Sequence, residues 1–440
     1  MTYQIVNARI VNEGKVIEGD LSITKARLSG INTAAGTGAK VIDAKGAYLL
    51  PGMIDDQVHF REPGFEHKAT IGTESRAAVA GGITSYLEMP NCNPQTITPE
   101  ALQDKHGRAA ARSMANYGFY FGATNNNLES VKSVDQQLAC GIKVFMGSST
   151  GNMLVDSEKT LDGIFSCSPL IVATHCEHTP TILKNEASAH AKYGDMIPFS
   201  EHPTIRSVEA CYRSSSLAVE LARRHDARLH VLHITTEREL ALFDAGPIDK
   251  KRITAEACVH HLFFNDSFYP SLGAHIKCNP AIKSVIDQQA LWAAVNDGRI
   301  DVIATDHAPH TLDEKAKPYL KSPAGLPLVQ HALLTLFEHV RAGRFTVETI
   351  VEKVAHAPAR LFGIRDRGFI REGYWADLVL VDPSTSTRNQ PIHSKCGWSP
   401  FDDVVFGSSV RMTWVNGELC YQEGNFLPGA WGRALEFTRP

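Results

Sequence analysis

Short apolar runs recur through the middle of the chain, each followed by a longer stretch of mixed polarity. The apolar runs end near His59, Pro90, Gly122, Met146, His175, His233, Ala257 and Thr305, and they read as buried strands. Helical patterns lie between several of them. One starts at Thr98-Pro99-Glu100, which supplies an N-cap, a proline at the first helical position and an acid in the first turn. Another runs from about Ser207 to Arg224. Eight strands with crossovers predict an α/β fold, a (β/α)8 barrel. The two ends of the chain have a different texture. Tyr3 to Val11 alternates around Ile5, Ala8 and Ile10, and turn residues follow at Gly14, Gly19-Asp20, Gly30 and Gly36-Thr37-Gly38. Near the C-terminus, Ala376 to Asp382 is a buried-strand pattern closed by Pro383, and Asn416-Gly417 marks a hairpin between two more strands. The expected division is a small composite β-sandwich from residues 1–52 and 366–440 around a barrel at 53–365.

The length of 440 residues suits a barrel plus a smaller domain, and there is no internal repeat or low-complexity segment. A formal net charge of −4 gives no support for a nucleic-acid or membrane-surface partner. The N-terminus lacks the basic and apolar regions of a signal peptide, and no apolar run is long enough to span a bilayer. Nine scattered cysteines with no Cys-x-x-Cys pair fit a reducing, cytoplasmic compartment.

Candidate chemistry clusters at the strand ends. His59 closes the first strand in Val58-His59-Phe60-Arg61-Glu62-Pro63-Gly64, and Met89-Pro90-Asn91 follows the second. Lys143 lies inside the fourth, His175 and His233 end the fifth and sixth, and the eighth leads into Asp306-His307-Ala308-Pro309-His310. C-terminal strand ends of a barrel converge on one mouth, so these residues can share a site. Imidazoles and carboxylates suit Zn²⁺, which lowers the pKa of water to about 7, and a nearby carboxylate can move the proton. A lone strand-end histidine is more often structural than a ligand. Most of the 19 histidines, including His106, His190, His225 and His356, must be bystanders. His260 and His261 cannot face one site if their segment is extended, because neighbouring strand residues point to opposite faces. What raises His59, His175 and His233 is their common position. Lys143, flanked by Ile142, Val144 and Phe145, either snorkels out or sits where its charge is costly. Desolvation would favour its neutral amine, the form that reacts with CO₂.

Taken in order, these motifs together with Ile142-Lys143-Val144-Phe145-Met146-Gly147, Thr174-His175-Cys176-Glu177, Leu232-His233-Ile234-Thr235 and Lys277-Cys278-Asn279-Pro280 resemble the motif series of the dihydroorotases in the amidohydrolase superfamily. The resemblance runs from about Val41 to Gly417. It implies one or two Zn²⁺ per chain, bound by His59, Lys143, His175, His233 and Asp306, with Lys143 carboxylated and bridging. It implies Asp306 as catalytic base, and Arg61, Asn91, Asn279 and His310 at the substrate, with Ala324 and Gly325 near a further contact. The activity it implies is reversible cyclisation of N-carbamoyl-L-aspartate to L-dihydroorotate in pyrimidine biosynthesis, by a homodimer or higher oligomer. Gln57 departs from the family's His-x-His pair, and an amide oxygen is a weaker zinc ligand than imidazole. The alternatives are another cyclic-amide hydrolase, an allantoinase or hydantoinase, or a non-catalytic scaffold. Thr311 to Gly325, with three lysines and two prolines, is expected to be a loop over the mouth.

Overall fold

The structure is a computed structural model that describes residues 2–33, 36–147, 153–388, 390–428 and 432–439. The N-terminal strands are β1 (Thr2–Asn12), β2 (Lys15–Thr24), β3 (Arg27–Ile31), β4 (Lys40–Asp43) and β5 (Tyr48–Pro51). Eight parallel strands follow: β6 (Met53–Val58), β7 (Ile83–Glu88), β8 (Asn116–Gly122), β9 (Ala139–Phe145), β10 (Val172–His175), β11 (Leu229–Val231), β12 (Ile253–Cys258) and β13 (Val302–Ala304). They pair in sequence order, with helices such as Pro99–Arg112 and Val208–His225 in the crossovers. Both of those helices start where their side chains predict. Thr98 caps the first by accepting from Ala101 N at 3.2 Å, and Ser207 caps the second by accepting from Ala210 N at 3.3 Å. The (β/α)8 expectation is met.

The barrel closes between its first and last strands. His59 N–H donates to the His307 carbonyl at 2.7 Å. One residue pair further in, Thr305 donates through N at 3.1 Å and through Oγ1 at 2.6 Å to the buried Asp55 carboxylate. Burial pushes the Asp55 carboxyl well above its usual range. Three residues just past strand ends, Arg61, His233 and Asp306, hold left-handed φ values of 69°, 40° and 51°. Such backbone persists in non-glycine residues only where neighbours over-determine it, and it gathers at functional sites.

The remaining strands, β14 (Leu378–Asp382), β15 (Ser409–Val415), β16 (Glu418–Gln422) and β17 (Asn425–Phe426), join the N-terminal ones in a second sheet ordered β17-β16-β15-β14-β5-β1-β2-β3, with β4 paired to β1. Asn416 and Gly417, at φ 52° and 76°, make the hairpin turn that the Asn-Gly pair predicts. In β1 a bulge between Ile5 and Ala8 inserts one extra residue, with Asn7 at φ 56°. The bulge shifts the parity, so that Tyr3, Ile5, Ala8 and Ile10 all reach one core with Leu21, Leu49, Leu380 and Trp414. Arg367 pairs with Asp377 in a buried contact at the base of this sheet, and Asn116 at the start of β8 donates to the same carboxylate at 3.1 Å. This network ties the sheet to the barrel.

One buried ion pair supports the rim directly. Glu88, at the end of β7, accepts from Phe60 N at 3.1 Å and faces Lys105 Nζ at 2.8 Å, both side chains being about 1% exposed. Removing one partner of such a pair strands the other charge in the interior. Lys105→Met is therefore expected to lower the unfolding free energy in urea by about 3–5 kcal/mol, with Glu88→Gln/Lys105→Met recovering most of that loss.

A candidate metal centre at the barrel mouth

The strand ends surround a cavity of about 100 Å³. It is lined by His59, Lys143, His175, His233 and Asp306, and by Arg61, Asn91, Asn279, His310, Ala324 and Gly325, so all the residues singled out from sequence meet there. Gln57, Phe145 and Ala308 complete the lining.

Lone pairs converge on this space. His175 Nε2–H donates to Glu177 at 3.1 Å, which turns its bare Nδ1 towards His233 Nε2 at 3.0 Å. His59 Nδ1–H donates to Asn91 Oδ1 at 2.8 Å, which turns its bare Nε2 towards Asp306 Oδ1 at 3.1 Å. Nitrogen and oxygen donors gathered this closely are a set that one cation could share. A histidine whose other nitrogen donates to a carboxylate or an amide oxygen is oriented as a metal ligand is. The donor set of imidazoles and a carboxylate fits zinc. Gln57 does not mimic the missing imidazole: its Nε2–H donates to Asp306 Oδ1 at 3.2 Å, and its Oε1 faces Cys258 Sγ at 3.9 Å.

Burial works against positive charge on several of these groups. Burial pushes His233 well below its ordinary value, with the neighbouring His175 and Lys143 adding to the effect, and it lowers His59 as well. Burial also brings Lys143 down to about 8 against the pull of Asp306 and Glu256, and its Nζ sits 4.7 Å from the centre of the Phe145 ring. Burial alone would raise Glu177, but Arg206 and His175 outweigh it and hold the carboxylate at about 2.

The opposite side of the cavity is cationic. Arg61 Nε donates to the Pro309 carbonyl at 3.0 Å, and a terminal nitrogen of its fork lies 3.0 Å from His310 Nε2. Burial, Arg61 and Lys68 push His310 down to about 3, so it stays neutral. Lys68 bonds His310 Nδ1 at 3.1 Å and pairs with Glu314 at 2.9 Å. Asn279 Oδ1 is buried without a hydrogen-bond partner among the described residues, and Asn279 lines the same cavity.

Sequence reasoning passed over several supports. Glu177 sits two residues beyond His175, and its burial against Arg206 needs a fold to be seen. Glu256 lies in β12 with the same signal as Lys143, an ionisable residue in an apolar strand. It accepts from His233 N at 2.9 Å and so helps to hold that residue's left-handed backbone. Beneath the mouth, His230 Nε2 stands 3.2 Å from Asp56 and 3.7 Å from Glu256. Burial would lower His230, but the two carboxylates raise it to about 9. Two expectations change. Residues 259–263 are a short helix rather than extended, so His260 and His261 lie side by side with ring centres 3.9 Å apart. The expected loop contains the capped helix Leu312–Lys315, and Lys315 is no surface lysine. It is buried, donating to the carbonyls of Lys277, Pro323 and Gly325 at 3.0–3.2 Å.

The sequence profile of the amidohydrolase family matches residues 48–420. The chain belongs to the amidohydrolase family. It is a hydrolase acting on amide C–N bonds, in a superfamily that generally works with divalent metals. It is 34% identical to a dihydroorotase of Halobacterium salinarum over 97% of this chain and 99% of that one. A dihydroorotase of Bacillus cytotoxicus is 30% identical over 97% and 100%. Among solved structures, the L-hydantoinase (dihydropyrimidinase) of Arthrobacter aurescens superposes with a TM-score of 0.92 at 24% identity, covering 99% of this chain and all of that one. A dihydropyrimidinase from Brevibacillus agri gives 0.89 at 24% identity with full coverage of both chains. These structures share the fold. No helix among the described residues is long and apolar enough to cross a membrane.

The depressed Glu177 sets a pH dependence. Its folded pKa of about 2 lies below the ordinary carboxylate value of 4.5, so its contribution is complete above that value and is lost as pH falls towards 2. The stability difference between the wild type and Glu177→Gln should shrink by about 2 kcal/mol in urea titrations from pH 5 to pH 3, out of a total on the order of 3 kcal/mol. A difference that stays constant with pH would contradict the assignment.

Proposed function

We propose that this amidohydrolase is a dihydroorotase, interconverting L-dihydroorotate plus water with N-carbamoyl-L-aspartate. One observation carries the reading: the Arg61 guanidinium lines the same small cavity as the candidate metal ligands. A carboxylate on the substrate ring would answer that charge with paired, charge-assisted hydrogen bonds. Allantoin and simple hydantoins offer none. The resemblance of the ordered motifs and the two curated relatives support the same choice.

His59, Lys143, His175, His233 and Asp306 would hold one or two zinc ions, with Lys143 as its carbamate. The neutral amine that CO₂ requires is accessible for a lysine brought to about 8. Zinc bound there supplies Lewis acidity to the ring carbonyl and to the attacking water. In the hydrolytic direction Asp306 takes the water proton and returns it to the departing ring nitrogen, so that one C–N bond breaks as one C–O bond forms. Its Oδ1 already accepts from Gln57 at 3.2 Å, which keeps the carboxylate oriented. Arg61 grips the substrate carboxylate, with the neutral His310 beside it. Asn279 Oδ1 accepts from a ring N–H, and Asn91 steadies His59 as well as lining the pocket.

A panel of dihydroorotate, allantoin and hydantoin tests the substrate. Turnover of dihydroorotate alone is expected, and turnover of allantoin without dihydroorotate would move the chain to another cyclic-amide hydrolase. Arg61→Met should lower kcat/KM for dihydroorotate by about 30- to 1000-fold, the equivalent of about 2–4 kcal/mol, while leaving metal content unchanged.

A further inference from the structure

Cys258, His260 and His261 lie outside the cavity, and the proposed reaction uses none of them. Ligand atoms of the three come within 4.8 Å of one another, and all three residues are buried. Cys258 ends β12 and enters the short helix Val259–Phe263, whose first turn stacks the two histidines beside the thiol.

The hydrogen bonding is what makes this cluster informative. His261 Nε2–H donates to the Pro280 carbonyl at 3.1 Å, which leaves Nδ1 as a bare lone pair, and that nitrogen has no partner among the described residues. Neither ring nitrogen of His260 has a close hydrogen-bond partner among the described residues, although the Thr305 backbone lies near and the residue is only 1% exposed. Buried polar atoms in folded proteins are nearly always satisfied, and exceptions point to a water or an ion. A histidine that gives one N–H to a backbone carbonyl and points the other nitrogen into a cluster has the arrangement of a metal ligand. Gln57 completes the set. With its Nε2–H donated to Asp306, its Oε1 faces the Cys258 thiol at 3.9 Å, and that thiol also reaches Glu256 Oε1 at 3.5 Å.

We propose that Cys258, His260 and His261 form a second, buried site for a thiophilic divalent ion, zinc by its donor chemistry, with the Gln57 amide oxygen closing the fourth position. One thiolate, two imidazoles and one oxygen satisfy the tetrahedral preference of zinc and leave no open position for water, so the site is structural. Uptake forms the metal–sulfur bond and releases the thiol proton to solvent. The ion would engage the amide oxygen of Gln57 while its amide nitrogen still faces Asp306 at the mouth, so the residue that replaces the family histidine would join the two sites. The proposal does not depend on the identity of the substrate.

Cobalt substitution tests it. The mouth residues include no sulfur ligand, so Co²⁺ bound there alone gives no thiolate-to-cobalt charge-transfer band in the near ultraviolet. The full-length protein reconstituted with Co²⁺ is expected to show that band. Cys258→Ser should abolish it and lower the metal content by one ion per chain. Cys278→Ser should retain it, since Cys278 Sγ lies 3.7 Å from the committed Nε2 of His261. Should Cys258→Ser fail to fold, anomalous difference maps from wild-type crystals at the zinc edge give the answer, with a peak expected among the three side chains. Cobalt uptake without the band, a band that survives Cys258→Ser, or no anomalous peak overturns the proposal. Dihydroorotate turnover without the band would leave the hydrolase reading standing, and the band without turnover would do the reverse.

Discussion

Closing the parallel barrel between β6 and β13 is the constraint on which the site depends. The first and last strands are nearly 250 residues apart in sequence, yet Thr305 bonds the Asp55 carboxylate and His59 bonds the His307 carbonyl. Those bonds put His59 Nε2 and Asp306 Oδ1 3.1 Å apart. The strands between them then deliver Lys143, His175 and His233 to the same rim. Short strands with inward side chains cannot place these groups anywhere else, and the left-handed backbone at Arg61, His233 and Asp306 turns each chain segment as it leaves the barrel.

A second principle follows from the burial this imposes. Burial lowers the pKa of His59 and His233 at the rim, which favours the neutral form that ligation needs. Carboxylates beneath and beside them carry the compensating work: Glu177 orients His175, Glu256 fixes the backbone of His233, and Glu88 with Lys105 supports Phe60. Arg61 remains the cation on the substrate side, facing a histidine that burial keeps uncharged. On the proposed reading, one cavity of about 100 Å³ holds both the candidate metal ligands and the Arg61 cation. That pairing matches a small substrate with a hydrolysable amide at one end and a carboxylate at the other.

Much of this was legible in the sequence because strand ends of a barrel are read by position. His59, Lys143, His175, His233 and Asp306 stand out as polar residues at or within apolar runs, and the structure gathers them in one cavity. The Asn416-Gly417 turn and the caps at Thr98 and Ser207 are local, and local chemistry decided them. What stayed hidden depends on tertiary contact. The Glu177–Arg206 pair and the Asp56–His230–Glu256 cluster join residues that no spacing rule connects. The helix at Val259–Phe263 brings His260 and His261 together, where an extended segment would have sent them to opposite faces. Lys315 lies in the expected loop, yet its Nζ is buried and donates to three carbonyls, which no sequence pattern shows.

Gln57 is where sequence and structure diverge most usefully. In sequence it is a weakened ligand. In the structure its amide links Asp306 to Cys258, so its meaning depends on which metals the folded chain holds. The most direct measurement is zinc per chain together with dihydroorotate hydrolysis on one preparation, before and after chelation and again after zinc and bicarbonate are restored. The account predicts zinc in the isolated protein, loss of turnover on chelation and recovery on restoration. Folded protein that is zinc-free as isolated and stays inactive after zinc and bicarbonate would contradict it.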